Sequence, residues 1–360
     1  MAKKSALNTS EGNPQPSNVN KASIQKIRSH RTKDLSVETI FGGIAKGSHT
    51  HLSKGITLVE SNLPAHQAMA GELVERCLPH AGKSIRIGIT GVPGVGKSSF
   101  IEVLGGLLTD AGRKVAVLAV DPSSSVSRGS ILGDKTRMET LVSHPNAFIR
   151  PSPSGESLGG VARKTRESIV LCEAAGYDTV LVETVGVGQS ETSVHSMTDF
   201  FLLLKIAGAG DELQGIKRGI IEMADAIIIN KAEGENLKAA RRAASEFKRA
   251  LKMYPVKESG WKPPVLLASA MESTGIKEVW EMIDQYRHQV NRSGYFHRKR
   301  QQQNQHWLLQ TINEHLKEEF YSDPAIKTAL AQQLEAVQQS KTSPFMAAQH
   351  LLELHKRQSQ

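Results

Sequence analysis

The chain has 360 residues, a net charge of +9, 39% hydrophobic and 22% charged residues, enough for one large α/β domain with appendages or two smaller domains. Its basic residues are dispersed and its aromatics make up only 5%, so no stacking platform for nucleic acid is expected. The longest apolar run, residues 200–204, is far too short to span a bilayer, so no membrane association is expected.

Residues 1–34 are rich in Ser, Asn, Lys and Pro, with no hydrophobic period and no secretory h-region, and are read as a disordered tail. A helical segment follows over 35–80, with apolar positions at three- and four-residue spacing in 50–63 and 64–77. Across 81–293 strand-like runs at 84–90, 114–120, 148–150, 179–183, 200–206, 226–230 and 265–269 alternate with helical patterns at 98–111, 160–175, 235–253 and 276–291. Such alternation predicts an α/β fold with a mostly parallel sheet and helices on both faces, its ligands bound beyond the carboxyl ends of the strands. Residues 294–360 read as a polar helical arm of three helices (297–321, one from Asp323-Pro324, one from Ser343-Pro344) that packs back on the domain or joins a dimer contact. Cys77 and Cys172 are too few and too far apart for a disulfide framework, which suits a reducing cytoplasm.

The first strand runs into Gly91, Val92, Pro93, Gly94, Val95, Gly96, Lys97 and Ser98, a complete G-x-x-x-x-G-K-[ST] loop, with Ser99 next on the helix. A strand that stops at glycines and restarts as a helix aims backbone N–H groups into one concavity, which can cradle a β-phosphate. Lys97 then reaches the β/γ-phosphates and the Ser98 hydroxyl binds Mg²⁺. The chain is expected to bind a nucleoside triphosphate.

Asn230, Lys231, Ala232 and Glu233 follow a buried apolar strand where GTPases carry N-K-x-D, the element that reads guanine. A carboxylate there accepts from the guanine N1–H and exocyclic amine, a donor pair that adenine lacks. Glu233 stands where Asp is usual, and its extra methylene shifts the carboxylate by about a bond length, a misplacement that costs on the order of 1–3 kcal/mol. Ser269 and Ala270, ending the next strand, are the expected second base contact. Glu183 ends strand 179–183 and is followed by Gly186, an E-x-x-G element expected to supply the Mg²⁺-side acid and a γ-phosphate-sensing N–H. Asp121 and Asp134, after the second strand, are read as part of a Mg²⁺-linked switch.

Residues 91–98, 120–124, 130–138, 150–154, 158–162, 182–191 and 211–217 together resemble the MeaB/ArgK family of P-loop GTPases, from about Leu52 to the chain end. The resemblance implies a GTP-hydrolysing chaperone, a homodimer, that gates cofactor loading of an adenosylcobalamin-dependent acyl-CoA mutase, typically methylmalonyl-CoA mutase, and protects or reactivates it. It implies catalytic roles for Lys97, Asp121 and Glu183, and Mg²⁺ at Ser98, Asp121, Asp134 and Glu183. It also implies a third switch over 208–217, with Asp211, Gln214 and Lys217 signalling to the mutase. E-x-x-G is usual in that family, whereas Glu233 departs from it and leaves the strictness of guanine selection open.

Two other readings compete. An ATP-dependent kinase or transport ATPase needs an acceptor site with its own base, and no substrate domain interrupts the strands. A metallochaperone needs a Cys/His cluster, and His49-Thr50-His51, the only close His pair, is read as a solvated loop. Gln189 lies three residues beyond Gly186, and Arg128 and Arg137 in the first switch, so neither a water-orienting group nor an arginine finger is assigned.

Overall fold

The computed structural model describes residues 36–120, 138–151, 158–184, 190–208 and 218–358. Seven strands form one sheet: β1 (Ile85–Thr90), β2 (Val115–Val120), β3 (Ala147–Arg150), β4 (Thr179–Thr184), β5 (Phe200–Lys205), β6 (Ala226–Ile229) and β7 (Val265–Leu267). All are parallel, in the order β3-β2-β4-β1-β5-β6-β7. Most are short, largely apolar runs because a parallel strand is buried on both faces.

The pleat divides those faces. Val180 and Val182 of β4 join one core, with α1 (Val37–Ala45), α2 (His49–Glu60), α3 (Pro64–Cys77) and α6 (Leu158–Ala174). Leu181 between them joins the other, with α4 (Lys97–Asp110) and α10 (Ile276–Arg292). Gly88 stands where a side chain would point into the first core, and a Cβ there would lie 2.7 Å from Phe201. The helix α9 (Leu237–Leu251) packs an alanine face and Phe247 on β6 and β7.

Ser36 caps α1, which lies within the expected helical segment 35–80, by accepting from the Thr39 N–H. Three short helices escape the sequence pattern: α5 (Glu139–Val142), α7 (Ser190–His195) and α8 (Arg218–Met223) are too brief to show a helical period. His49 and His51 open α2 rather than occupy a loop: His49 hydrogen-bonds the Tyr177 hydroxyl at 3.0 Å, and His51 bonds Ser48. Cys77 and Cys172 are buried and unbridged. Among the described residues no helix is long and apolar enough to cross a membrane.

The amino edge of the sheet is closed by one repeated device. Asp178, Asp199 and Asp225 each stand one residue before a strand, and each carboxylate accepts a backbone N–H from the neighbouring strand's start. Asp178 takes Lys114 N–H at 3.2 Å, Asp199 takes Arg86 N–H at 2.8 Å and Asp225 takes Phe201 N–H at 3.0 Å. Asp225 pairs with Lys257 at 2.7 Å, and the buried charge of Asp199 is answered by the arm. From α11 (Tyr295–Ser322), Arg300 makes two bonds to Asp199, at 2.7 and 2.9 Å, and reaches the carbonyls of Gly82 and Ser84. Lys299 donates to the Asp199 carbonyl and Gln303 to that of Thr198. Arg86 pairs with Glu173 in parallel hydrogen bonds of 2.8 Å. Beyond this root α11 carries Leu308, Leu309, Ile312 and Leu316 exposed, and its end packs with α12 (Pro324–Gln338), which pairs with α13 (Pro344–Gln358).

Burial pushes the Asp199 and Glu173 carboxyls up, but Arg300 and Arg86 more than offset it and hold both below their ordinary values of 3.8 and 4.5. Depressed folded-state values mean that this stability is fully present above those values and is lost as pH falls through the lower folded ones. Arg300→Met strands the buried Asp199 carboxylate and is expected to cost about 3–5 kcal/mol at pH 7. Urea unfolding at pH 7 and at pH 3 checks both points, because the gap between wild type and variant should narrow in acid.

Candidate functional site

At the opposite edge β1 ends in the glycine loop. Gly91 passes so close to β5 that a Cβ would sit 2.6 Å from the Leu204 carbonyl oxygen. Gly96 has φ 89°, in the left-handed region, and a Cβ there would fall 2.8 Å from Asn230 Nδ2. Val92 and Val95 close the loop through a backbone bond of 3.2 Å, with Pro93 and Gly94 at its turn. The α4 N-terminus has glycine as its cap, so no side chain covers the first N–H groups, including those of Lys97, Ser98 and Ser99. That is an anion-accepting helix end.

Lys97 is buried and its ammonium donates to the Gly91 carbonyl at 2.9 Å, holding the cation across the loop mouth. Ser98 Oγ donates to Glu183 Oε1 at 3.2 Å. The strand register sets this meeting, since Glu183 pairs with Ile89 on one side and Ala119 on the other. Thr184 is locked to Thr90 by a 2.9 Å hydroxyl bond. Among the described residues there is no group of three or more His, Cys, Asp or Glu that could hold a metal. Ser98 and Glu183 are therefore the two predicted metal-side residues brought together here. Asp121, Asp134 and Gly186 lie outside the described residues, as do Asp211, Gln214, Lys217, Gln189, Arg128 and Arg137.

The segment predicted to read the base meets the same loop through Asn230. Asn230 follows β6, fully buried, its N–H on the Lys205 carbonyl at 2.7 Å and its Nδ2 on the Val95 carbonyl at 2.9 Å. The side-chain amide thus ties the base segment to the phosphate loop, a link that the sequence pattern does not announce. Lys231 is held at φ 57°, a left-handed conformation that costs a non-glycine residue energy. Asn236 donates to its carbonyl at 2.6 Å, and Ala232 N–H bonds the Ala268 carbonyl. The Asn at 236 was the available signal for this turn. Ser269 is buried and accepts the Glu272 N–H, which fixes the 269–272 turn and places Ala270 beside it.

Two acceptors in this segment, Asn230 Oδ1 and Glu233 Oε2, are buried without a hydrogen-bond partner. Orphaned buried acceptors are costly and rare, and donors from a ligand would satisfy them.

Comparison with known proteins agrees with this geometry. The family model described as "Methylmalonyl Co-A mutase-associated GTPase MeaB" matches residues 52–325. The chain is 46% identical over 310 residues to the "GTPase ArgK" of Escherichia coli, covering 86% of this chain and 94% of that protein. It is 44% identical over 349 residues to the mouse "Methylmalonic aciduria type A homolog, mitochondrial", covering 92% and 84% respectively. The crystal structure of a "LAO/AO transport system kinase" superposes with a TM-score of 0.71 at 38% identity, covering 89% of this chain and 98% of that one. A P-loop α/β sheet with the phosphate and base segments joined through Asn230, and this similarity along most of its length, place the chain in the MeaB family of methylmalonyl-CoA mutase-associated GTPases.

Proposed function

We propose that the protein binds and hydrolyses GTP and uses that cycle as a chaperone, gating cofactor loading of an adenosylcobalamin-dependent acyl-CoA mutase and protecting or reactivating it. Methylmalonyl-CoA mutase is the partner that the family description favours. The observation that carries the nucleotide assignment is the pair of unpartnered buried acceptors, Asn230 Oδ1 and Glu233 Oε2. Guanine offers the N1–H and exocyclic amine donors that the Glu233 carboxylate needs, while adenine presents an acceptor at N1. The longer Glu233 side chain is compatible with guanine reading because the Lys231–Asn236 turn already fixes its starting point.

The donor set suits Mg²⁺: Ser98 and Glu183 present hard oxygens 3.2 Å apart at the loop exit, and Asp121 and Asp134 complete the proposed set. A bound Mg²⁺ would neutralise charge between the β- and γ-phosphates. Lys97 adds a cation from the protein, and the α4 N–H groups orient the phosphates, so rate enhancement comes from positioning and charge. We place the protein in the cytoplasm as a homodimer, the exposed Leu308, Leu309, Ile312 and Leu316 of the arm supporting self-association.

The kinase reading survives as the alternative because a solved relative carries that description. Calorimetric titration decides between them. GTP and GDP should bind more tightly than ATP and ADP, and Glu233→Gln should erase on the order of 1–3 kcal/mol of that preference, whereas equal or tighter ATP binding would revive the kinase.

Turnover gives an independent check. Lys97→Ala should abolish GTP hydrolysis and weaken binding. Glu183→Gln should lower Mg²⁺-dependent turnover more than GDP affinity, which single-turnover assays across a Mg²⁺ series will resolve.

Signalling is tested on the loop after β5. Gln214→Ala and Lys217→Ala should leave GTP affinity nearly intact but reduce the acceleration of GTP hydrolysis by the cognate mutase. The same fold-activation in both variants would remove the switch role from 208–217.

A further inference from the structure

A cavity of about 190 Å³ opens on the amino side of the sheet, between α6, the turn after α7 and the root of α11. Its walls include Arg86, Arg166, Arg300, Ser196, Gln303 and Trp307. Two of the three guanidiniums are matched by acids: Arg86 by Glu173 at 2.8 Å and Arg300 by Asp199 at 2.7 Å. Arg166 is different. It is 5% exposed, and its terminal nitrogens donate only to neutral oxygens, Gln310 Oε1 at 2.8 Å and Ser196 Oγ at 2.6 Å. Glu314 stands behind Gln310 and is bonded to its amide, so its charge supports Arg166 without touching it. Arg166 Nε is buried with no partner.

Across the cavity Gln303 is anchored through Nε2 to the Thr198 carbonyl, which turns its Oε1 away from that bond, and Oε1 is also buried with no partner. One wall thus lacks an acceptor beside a positive charge, and the other lacks a donor. A single ligand that is anionic and carries a hydroxyl hydrogen satisfies both. A carboxylate or sulfate satisfies the first alone. We propose that this cavity is a binding site for a small protonated oxyanion of the hydrogen phosphate class, held between Arg166 of α6 and Gln303 of α11. Bound there, the anion bridges the body to the arm and fastens the root of α11, independently of the nucleotide.

The test is calorimetric titration of the GDP-saturated full chain with inorganic phosphate and with sulfate at pH 7, without divalent metal. GDP keeps the glycine loop filled, and the Lys97→Ala variant, which must give the same phosphate isotherm, guards against residual binding there. Phosphate should bind saturably, and about tenfold more tightly than sulfate, which has no proton for Gln303. Arg166→Met should weaken phosphate at least about tenfold while GDP affinity holds. Gln303→Leu should bring phosphate down to the level of sulfate, and it decides the matter alone if Arg166→Met does not fold. An absent phosphate isotherm in wild type, an unchanged one in Arg166→Met, or a phosphate-to-sulfate ratio unaltered in Gln303→Leu would overturn the site and leave only bridging water in the cavity.

Discussion

A parallel sheet leaves unpaired backbone N–H groups along its amino edge, and burying that edge requires acceptors. Here the acceptors are carboxylates, and the rest of the architecture follows from that choice. Asp199 and Asp225 are buried, so they demand cations: Lys257 pairs with Asp225 at 2.7 Å, and the others come from Arg86 and from α11, more than 70 residues further along the chain. An ionic plug of this kind is a poor source of net stability compared with apolar packing, yet removing one member exposes the others to an unpaired burial. Adjacent Lys299 and Arg300 at the root of α11 match that helix to this edge.

The carboxyl edge is organised in the opposite sense. Its glycines remove side chains, its helix start lacks a cap, and its acceptors stand without donors. Along the amino edge the strand-start N–H groups are met by the protein's own carboxylates, whereas the carboxyl edge is left to be completed from solution. Strain is present on the same edge at Lys231, where Asn236 and the Ala232–Ala268 bond hold the left-handed turn. The Asn230 amide makes the two halves of this edge one unit, since displacing the base segment pulls directly on the Val95 carbonyl of the glycine loop.

Much of this was legible in the sequence because local signals and tertiary context coincide. Most of the seven strands are apolar runs closed by polar or glycine residues, and the glycine loop follows directly on β1. The Ser98–Glu183 meeting follows from register once β1 and β4 are neighbours. What could not be read is of three kinds. Helices of four to six residues, such as Glu139–Val142, show no period. The amino-edge plug joins Asp199 to Arg300, a pairing that no local pattern encodes, although an Asp one residue before three separate strands was a visible hint. The orphaned oxygens of Asn230, Glu233 and Gln303 exist only once side chains surround them.

The length of α11 has a mechanical meaning. Its 28 residues make a rod of about 42 Å, clamped over its first half by Lys299, Arg300, Gln303 and the Gln310–Arg166 bond. The remaining twelve residues overhang the body by about 18 Å as a cantilever, stiffened at the tip by the α12–α13 pair. A tilt of about 10° at the clamp would sweep that tip through about 3 Å, so ångström-scale shifts at the root are magnified where the rod ends. The clamp sits on the edge remote from the glycine loop, so load applied to the rod enters the sheet along its strands.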